Sequence, residues 1–117
     1  VNVQPDGDLN YAPGALWTAV HHELPMLTVM HNNRAWHQEY MFIQYLAGVR
    51  GRGTDRGHIG CVLRDPFIDY SKMAQAYGMD SEGPIEDPAL LAAALGRGVE
   101  SVKTGKPYLI DVVTQPR

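Results

Sequence analysis

Residues 25–32, PMLTVMHN, are the stretch that decides the fold. Apolar residues run almost without interruption between Pro25 and the pair formed by Asn32 and Asn33. A half-buried strand alternates apolar and polar residues, whereas a strand buried on both faces is a continuous apolar run. We therefore predict a strand buried on both faces, of the kind found in parallel sheets with helices on either side.

The segments on either side of this strand alternate between strand-like and helix-like patterns. VNVQ (1–4) predicts a strand ending at Pro5, MDSEGPIE (79–86) a short edge strand, and PYLIDVVTQ (107–115) a last buried strand. Helical spacing of apolar residues predicts helices in four segments, 13–24, 37–48, 69–78 and 87–102. Strands alternating with helices indicate an α/β domain, a doubly wound, mainly parallel sheet with flanking helices.

Particular residues define these predicted helices. In 13–24 we expect Pro13 in the first turn and a buried face that includes Leu16, Trp17, Val20 and Leu24. In 69–78 we expect Asp69 to cap the amino end and Gly78 the carboxyl end; the buried face would hold Tyr70, Met73, Ala74 and Tyr77.

Composition excludes several classes of protein. The 117 residues suit one domain, and a net charge of −3 offers no electrostatic footprint for nucleic acid. No apolar run approaches the ~20 residues that span a bilayer, so no membrane partner is expected. Cys61 is the single cysteine, which excludes an internal disulfide and favours a reducing, cytoplasmic compartment. We interpret the Gly- and Arg-rich segment 50–60 as a surface loop.

Polar residues follow the first two predicted strands. Asp6-Gly7-Asp8 follows the first, and His31-Asn32-Asn33 ends the second. If the two strands are neighbours, their ends face one crevice, which is where such sheets bind ligands. Carboxylate and amide oxygens suit Mg²⁺, which usually recruits phosphate oxygens. The alternative is ordinary turns, since Asp-Gly and Asn-Asn are common turn dipeptides.

At this point the sequence resembles a known family. The segment DGDLNYAPGALWTAVHHELPMLTVMHNN (6–33) is similar to the thiamine diphosphate signature, in which Gly-Asp-Gly is followed at a fixed distance by Asn-Asn. Asn33 lies 27 residues after Asp6, which is the family's spacing between its two magnesium-binding side chains. The flanking residues resemble those of benzoylformate decarboxylase and acetolactate synthase, and the resemblance extends more loosely over essentially the whole chain.

The resemblance implies a site. Asp6, the side chain of Asn33 and the backbone carbonyl of Ala35 would ligate Mg²⁺ together with two diphosphate oxygens and one water. Gly7 belongs to the cofactor-binding turn, and the backbone N–H groups of Asp8 and Leu9 would meet the diphosphate.

Two residues depart from the family pattern. Pro5 stands where the first glycine of the signature is expected; proline fixes φ and has no N–H. If that position needs an unusual φ or a donor, cofactor binding suffers, and if it needs only close approach, proline can fit. Asp8 places a carboxylate beside the expected diphosphate, which is repulsive unless it points away or holds a metal-bound water.

Glu39 lies six residues after Asn33, where pyruvate decarboxylases carry a glutamate that serves proton transfer. By that resemblance Glu39 is the candidate catalytic residue, and the neighbouring His37 and Gln38 would reach the substrate side. The alternative for Glu39 is a solvated residue on a helix face.

The resemblance also implies what lies outside the chain. Residues 1–117 would form the later portion of a C-terminal thiamine diphosphate- and Mg²⁺-binding domain, without its upstream part and without the domain that carries the activating glutamate. That glutamate usually comes from a neighbouring subunit, so we expect a homo-oligomer and little turnover by the isolated chain.

Three functions follow from these expectations. The first is part of an acetolactate synthase-like decarboxylase or carboligase acting on a 2-oxo acid. The second is a benzoylformate-type decarboxylase. The third is a non-catalytic α/β remnant or interaction module, for which Pro5 is the main argument.

Overall fold

The computed structural model describes residues 1–114. In chain order the elements are β1 (Asn2–Pro5), α1 (Asp6–Tyr11), α2 (Ala15–His21), β2 (Leu27–Asn32), α3 (His37–Val49), α4 (Tyr70–Ala76), β3 (Asp80–Ile85), α5 (Pro88–Lys103) and β4 (Tyr108–Val113). Every strand and helix predicted from the sequence is present within these residues. Gln115, at which the last predicted strand ends, lies outside them.

The four described strands form one parallel sheet in the order β1-β2-β4-β3. β2 and β4 are central, as their continuous apolar runs predict, and β3 is the predicted edge strand. β1 pairs directly with β2, with Pro5 opposite His31, so the carboxyl ends of these two strands are adjacent.

Helices cover both faces of the sheet. On one face α1, α2 and α4 pack on Met30 and Leu109, and on the other α5 packs on Leu27 and Ile110. Leu109 and Ile110 are consecutive residues whose side chains reach opposite faces, and both are fully buried. The doubly wound parallel α/β class predicted from the sequence is therefore confirmed.

Asp6-Gly7-Asp8, for which a turn was the alternative interpretation, begins the short helix α1. Leu9 anchors this helix in the core, where only 6% of it is exposed. Asp6 and Asp8 lie in its first turn, where carboxylates interact favourably with the helix dipole. Asp, Gly and Asn favour turns only weakly, and the burial of Leu9 outweighs this preference, so the chain forms a helix here.

The prediction for α2 was wrong in its length and in part of its face, because Leu16 is buried and Val20 packs against the core as predicted, whereas two other residues of the face are exposed. The helix begins at Ala15, after Pro13 and Gly14, and it ends at His21. Leu16 and Ala19 are its buried residues, whereas Trp17 is 52% exposed and Leu24 47% exposed. The chain reverses at Glu23, whose φ is +49°, so that Pro25 can lead into β2; residue 24 therefore lies outside the helical face.

The predictions for α4 are confirmed almost throughout. The carboxylate of Asp69 accepts a hydrogen bond from the Lys72 N–H at 2.8 Å, as an N-cap does. Tyr70 and Ala74 are buried, and Met73 and Tyr77 pack against them. The carboxyl cap is Tyr77, and Gly78 follows it with a φ of +84°.

Helix α3 differs from the other long helix because none of its residues is buried. Its exposed large apolar side chains are Met41, Phe42, Ile43, Tyr45 and Val49. Among the described residues, no helix has both the length and the apolar character that crossing a membrane demands.

Candidate cofactor and metal site

The crevice predicted at the strand ends exists. Asp6 follows β1 directly and Asn33 follows β2, and the pairing of Pro5 with His31 brings them to the same edge of the sheet. The loop from Asn33 to Trp36 is held by two backbone bonds, from Trp36 N–H to the Cys61 carbonyl at 2.8 Å and from Leu63 N–H to the Arg34 carbonyl at 2.7 Å.

Ala35 lies opposite Val62 in an antiparallel bridge, but the two hydrogen bonds of this bridge are made by the neighbouring residues. The N–H and the carbonyl of Ala35 therefore take no part in the bridge. The Ala35 N–H donates to the Oδ2 atom of Asp6 at 3.2 Å and to the Oδ1 atom of Asn33 at 3.0 Å. The three residues predicted to hold the metal therefore meet at one point.

Asp6 differs from the other residues of the site in its burial and its hydrogen bonding. It is 1% exposed, and its Oδ1 atom is buried without a hydrogen-bond partner among the described residues. Burial raises the pKa of Asp6, although the nearby backbone N–H groups of Gly7, Arg34 and Ala35 partly oppose this. An unpaired carboxylate oxygen in such a place is costly, and a bound cation is one way to satisfy it.

Within residues 1–114 no cluster of three or more His, Cys, Asp or Glu side chains could hold a metal. The donors at hand are one carboxylate, one amide oxygen and one backbone carbonyl. Few, hard oxygen donors fit Mg²⁺, which keeps water and phosphate oxygens among its ligands, better than Zn²⁺, which prefers nitrogen and sulfur.

Gly7 has a steric reason to be glycine. A Cβ atom at this position would lie 2.5 Å from Cδ1 and 2.7 Å from Nε1 of Trp36. The indole of Trp36 packs over α1, with its ring centroid 5.9 Å from that of Tyr11, and its buried Nε1–H lacks a partner within the described chain. Sequence reasoning gave Trp36 no place in the site, although its position three residues after Asn33 was the available signal.

The crevice itself has a volume of about 180 Å³. Most of the residues predicted for the site line it, and the full set is Pro5, Gly7, Asp8, Asn33, Ala35, Trp36, His37, Gln38 and Glu39. Asp6 is buried beneath it. Leu9 does not line it, because its side chain lies in the core; the predicted contact of its backbone N–H with a diphosphate stays a prediction.

The structure shows the backbone conformation of Pro5 and the exposure of Asp8, the two residues that depart from the family pattern. Pro5 takes a φ of −68°, the value that proline prefers, so its position requires no left-handed conformation. Proline is also tolerated because β1 is an edge strand of the described sheet. Asp8 is exposed at the crevice.

Glu39 lies in the first turn of α3, exposed, and lines the crevice. It also lines a second, larger groove of about 650 Å³ that continues along α3. The walls of this groove are His37, Gln38, Glu39, Met41, Phe42 and Tyr45. The sequence had placed His37 and Gln38 on the substrate side but had given no role to the apolar residues after them.

Another cavity, of about 390 Å³, lies at the opposite end of the sheet near Val20, Gly78 and Lys106. It is formed where strands begin, whereas ligands of parallel α/β sheets bind beyond the carboxyl ends of the strands. The crevice at Asp6 is therefore the candidate site.

The fold is that of a thiamine diphosphate-binding domain. The family model for "Thiamine pyrophosphate enzyme, C-terminal TPP binding domain" matches residues 1–112, and the chain belongs to this family. The resemblance inferred from Asp6 and Asn33 is confirmed.

Two solved structures share the fold. The thiamine diphosphate-dependent 4-hydroxybenzoylformate decarboxylase of Rhodococcus jostii RHA1 is 24% identical with a TM-score of 0.75, and the match covers 97% of this chain and 19% of that one. The benzoylformate decarboxylase of Polynucleobacter necessarius is 18% identical with a TM-score of 0.64, covering 96% of this chain and 19% of that one. The chain thus spans about a fifth of the length of these enzymes.

Proposed function

We propose that the chain binds Mg²⁺ and the diphosphate of thiamine diphosphate as part of a 2-oxo acid decarboxylase or carboligase. The observation that carries the proposal is the buried Oδ1 atom of Asp6, which has no hydrogen-bond partner in the part of the chain that the structure describes and lies beside Asn33 and Ala35 at the end of β2. Asp6, the Asn33 amide oxygen and the Ala35 carbonyl would bind the cation, and the first turn of α1 would face the diphosphate.

When bound, thiamine diphosphate supplies the electron sink for cleavage of the bond between the carbonyl and carboxylate carbons of a 2-oxo acid. The chain's own residues bind and orient. Gly7 and Trp36 shape the floor of the crevice, and Glu39 at its edge would exchange a proton with the bound substrate.

The crevice also supports the proposal that other protein completes the site. Small-molecule sites typically measure ~300 Å³ or more, and a volume of about 180 Å³ accommodates only part of such a cofactor. We propose that another domain, or a second subunit in a homo-oligomer, supplies the remaining wall and the activating glutamate. An isolated 117-residue chain would then show little or no turnover.

The groove along α3 supports one class of candidate substrate over the other. Met41, Phe42 and Tyr45 are more than half exposed and line a wall directly after Glu39. Such a wall favours a bulky or aromatic 2-oxo acid, as in the benzoylformate-type alternative, over the small substrate of an acetolactate synthase-like carboligase. The buried, unpaired Cys61 fits a reducing, cytoplasmic compartment.

Calorimetry tests cofactor binding. The full-length wild-type protein should bind thiamine diphosphate in the presence of Mg²⁺, and the full-length Asp6→Ala variant should not. Asp55→Ala is the matched control, because it removes an exposed carboxylate outside the crevice and should keep binding. No binding by the wild type, or binding indifferent to Asp6, would favour the non-catalytic alternative.

The reaction is tested with the full-length protein. Release of CO₂ and an aldehyde from benzoylformate supports the aryl decarboxylase, whereas formation of a 2-hydroxy-2-methyl-3-oxo acid from pyruvate supports the acetolactate synthase-like carboligase.

A further inference from the structure

A buried carboxylate with no role in the proposed chemistry lies beneath the crevice. Asp111, in the centre of β4, is fully buried, with 0% of its surface exposed. Its Oδ1 atom accepts a hydrogen bond from the Asn32 side-chain amide at 2.9 Å, and its Oδ2 atom accepts one from the Tyr70 N–H at 3.2 Å. Both oxygens of Asp111 are thus satisfied, whereas one oxygen of Asp6 is not.

The two partners of Asp111 each lead to a predicted metal ligand. Asn32 is the last residue of β2 and is followed by Asn33. Tyr70 opens α4, and its hydroxyl donates to the backbone carbonyl of Asp6 at 3.3 Å while it accepts from the Asn10 side-chain amide at 3.0 Å. Asp111 therefore connects, through one residue on each side, the two strand ends that form the site.

Strand β3 approaches β4 closely beside Asp111, at a position that requires glycine. Gly83 in β3 has a φ of +129°, and a Cβ atom there would lie 2.6 Å from the carbonyl oxygen and 2.8 Å from Cβ of Asp111. The pairing of β3 with β4 is shifted between Glu82 and Ile85 at the same place. Burying a carboxylate in a central strand costs free energy that an apolar residue would not, so stability alone gives no reason for an acid here.

We propose that Asp111 is a positioning residue for the metal-binding loop, holding Asn32 and Tyr70 so that Asn33 and Asp6 are in place before a cofactor binds. Groups that orient metal ligands in this way typically change metal affinity by ~10–100-fold when they are removed. The inference rests on the proposed function for its ligand, Mg²⁺, but the ordering of the loop can be measured without one.

The first experiment measures that ordering in the full-length protein without metal or cofactor. In Asp111→Asn a side-chain NH₂ group replaces one of the two carboxylate oxygens and faces a hydrogen-bond donor. One of the two hydrogen bonds that Asp111 accepts, from Asn32 or from Tyr70, is therefore lost. Hydrogen exchange of the Ala35 amide should become about tenfold faster or more, relative to the Ala94 amide in α5, which reports on global opening. Leu109→Ala, on the same strand and the same face, is the matched control and should accelerate both amides together.

The second experiment titrates Mg²⁺ at saturating thiamine diphosphate. We expect the Kd for Mg²⁺ to rise about tenfold or more in Asp111→Asn and to stay at the wild-type value in Leu109→Ala. Tyr70→Phe keeps the buried ring and removes only the hydroxyl. It should raise the Kd about fivefold, which suits the loss of one neutral hydrogen bond. Asn32→Ala, which removes the side-chain donor to the Oδ1 atom of Asp111, should likewise raise the Kd and provides the test of Asp111 should Asp111→Asn not fold.

The outcomes separate this inference from the proposed function. The positioning role is overturned if the Ala35 amide of Asp111→Asn exchanges at the wild-type rate. It is also overturned if Asp111→Asn and Tyr70→Phe both bind Mg²⁺ with the wild-type affinity. If the wild-type protein itself fails to bind Mg²⁺ and thiamine diphosphate, the proposed function is overturned, and the exchange experiment alone then decides whether Asp111 orders the loop.

Discussion

The Oδ2 atom of Asp6 and the Oδ1 atom of Asn33 accept hydrogen bonds from the same group, the Ala35 N–H, at 3.2 and 3.0 Å. The two residues are 27 positions apart in the chain and meet because β1 and β2 are parallel neighbours. Because these two oxygens share one donor and the Oδ1 atom of Asp6 has no hydrogen-bond partner within residues 1–114, the proposed cation would satisfy oxygens that the N–H alone does not.

Replacing Asp6 by Asn should stabilise the metal-free protein at neutral pH. Burial raises the pKa of Asp6 above its usual 3.8, so the folded state holds this proton more tightly than the unfolded state. The free energy of unfolding of the wild type therefore falls as pH rises from 3.8 through the raised pKa, and the Asn variant loses this contribution. Thermal unfolding in EDTA between pH 4 and 8 measures the difference.

Addition of Mg²⁺ and thiamine diphosphate should make the wild type more stable than Asp6→Asn, because only the wild type gains binding energy. Asp55→Asn, at an exposed position outside the crevice, is the control and should follow the wild type in both conditions. The pH dependence of the free energy of unfolding that remains in Asp6→Asn comes from other carboxyl groups, such as Asp111, whose pKa is also raised by burial. A wild type more stable than Asp6→Asn in EDTA at pH 7 would contradict the prediction.

Gly7→Ala should push the indole of Trp36 off α1, since its Cβ atom would lie 2.5 Å from Cδ1 of that ring. Overpacking of this kind costs ~1–3 kcal/mol, measurable by urea unfolding, and tryptophan fluorescence should report the movement. Gly14→Ala is the matched control, because no atom lies within 4 Å of its added Cβ and its φ is −61°. In a Trp36→Ala background the cost of Gly7→Ala should largely disappear, and a fully additive double variant would argue against the clash.

Two glycines of α5 should respond in opposite directions to the same substitution. At Gly96 an added Cβ meets nothing within 4 Å, so Gly96→Ala should raise the free energy of unfolding by ~0.5–1 kcal/mol. At Gly98 it would lie 2.6 Å from Cδ1 of Leu27 and 3.1 Å from Cδ1 of Ile110, so Gly98→Ala should lower it. Equal shifts in chemical denaturation would show that α5 does not pack on the sheet as described.

Glu39→Gln should lower kcat of the full-length enzyme while leaving the affinity for thiamine diphosphate unchanged. The variant keeps the size and position of the side chain at the crevice but cannot transfer a proton, a loss that typically costs ~10²-fold or more. Glu23→Gln, outside both the crevice and the groove, is the control. Wild-type turnover by Glu39→Gln would return this residue to the alternative of a solvated helix-face position.

Phe42→Ala should distinguish an aromatic from a small substrate. Truncating this wall of the groove removes aromatic contact and should raise KM for benzoylformate roughly tenfold, with a change for pyruvate within about twofold. Steady-state kinetics with both substrates measures the ratio. Val49→Ala, exposed on the same helix but outside the groove, should alter neither; equal effects of Phe42→Ala on both substrates would exclude the groove as the determinant.

The sequence by itself predicted much of this domain. Strands and helices follow from the local periodicity of apolar residues, which is why the run 25–32 and the helix at Asp69 were identified from the chain alone. The family was identified by resemblance, because residues 6–33 and the 27 positions between Asp6 and Asn33 match the family signature. Helix α1 was missed because its only strong signal, burial of Leu9, is a tertiary contact.

Only the tertiary structure decided which distant residues meet. Trp36 lies over Gly7, and Asp111 bonds Asn32 across a separation of 79 residues. No periodicity encodes such contacts, since they depend on strand order, register and the packing of helices on a sheet. The same packing leaves α3 without a buried face, although its sequence reads as an ordinary helix, because a helix's environment is set by what the fold places against it.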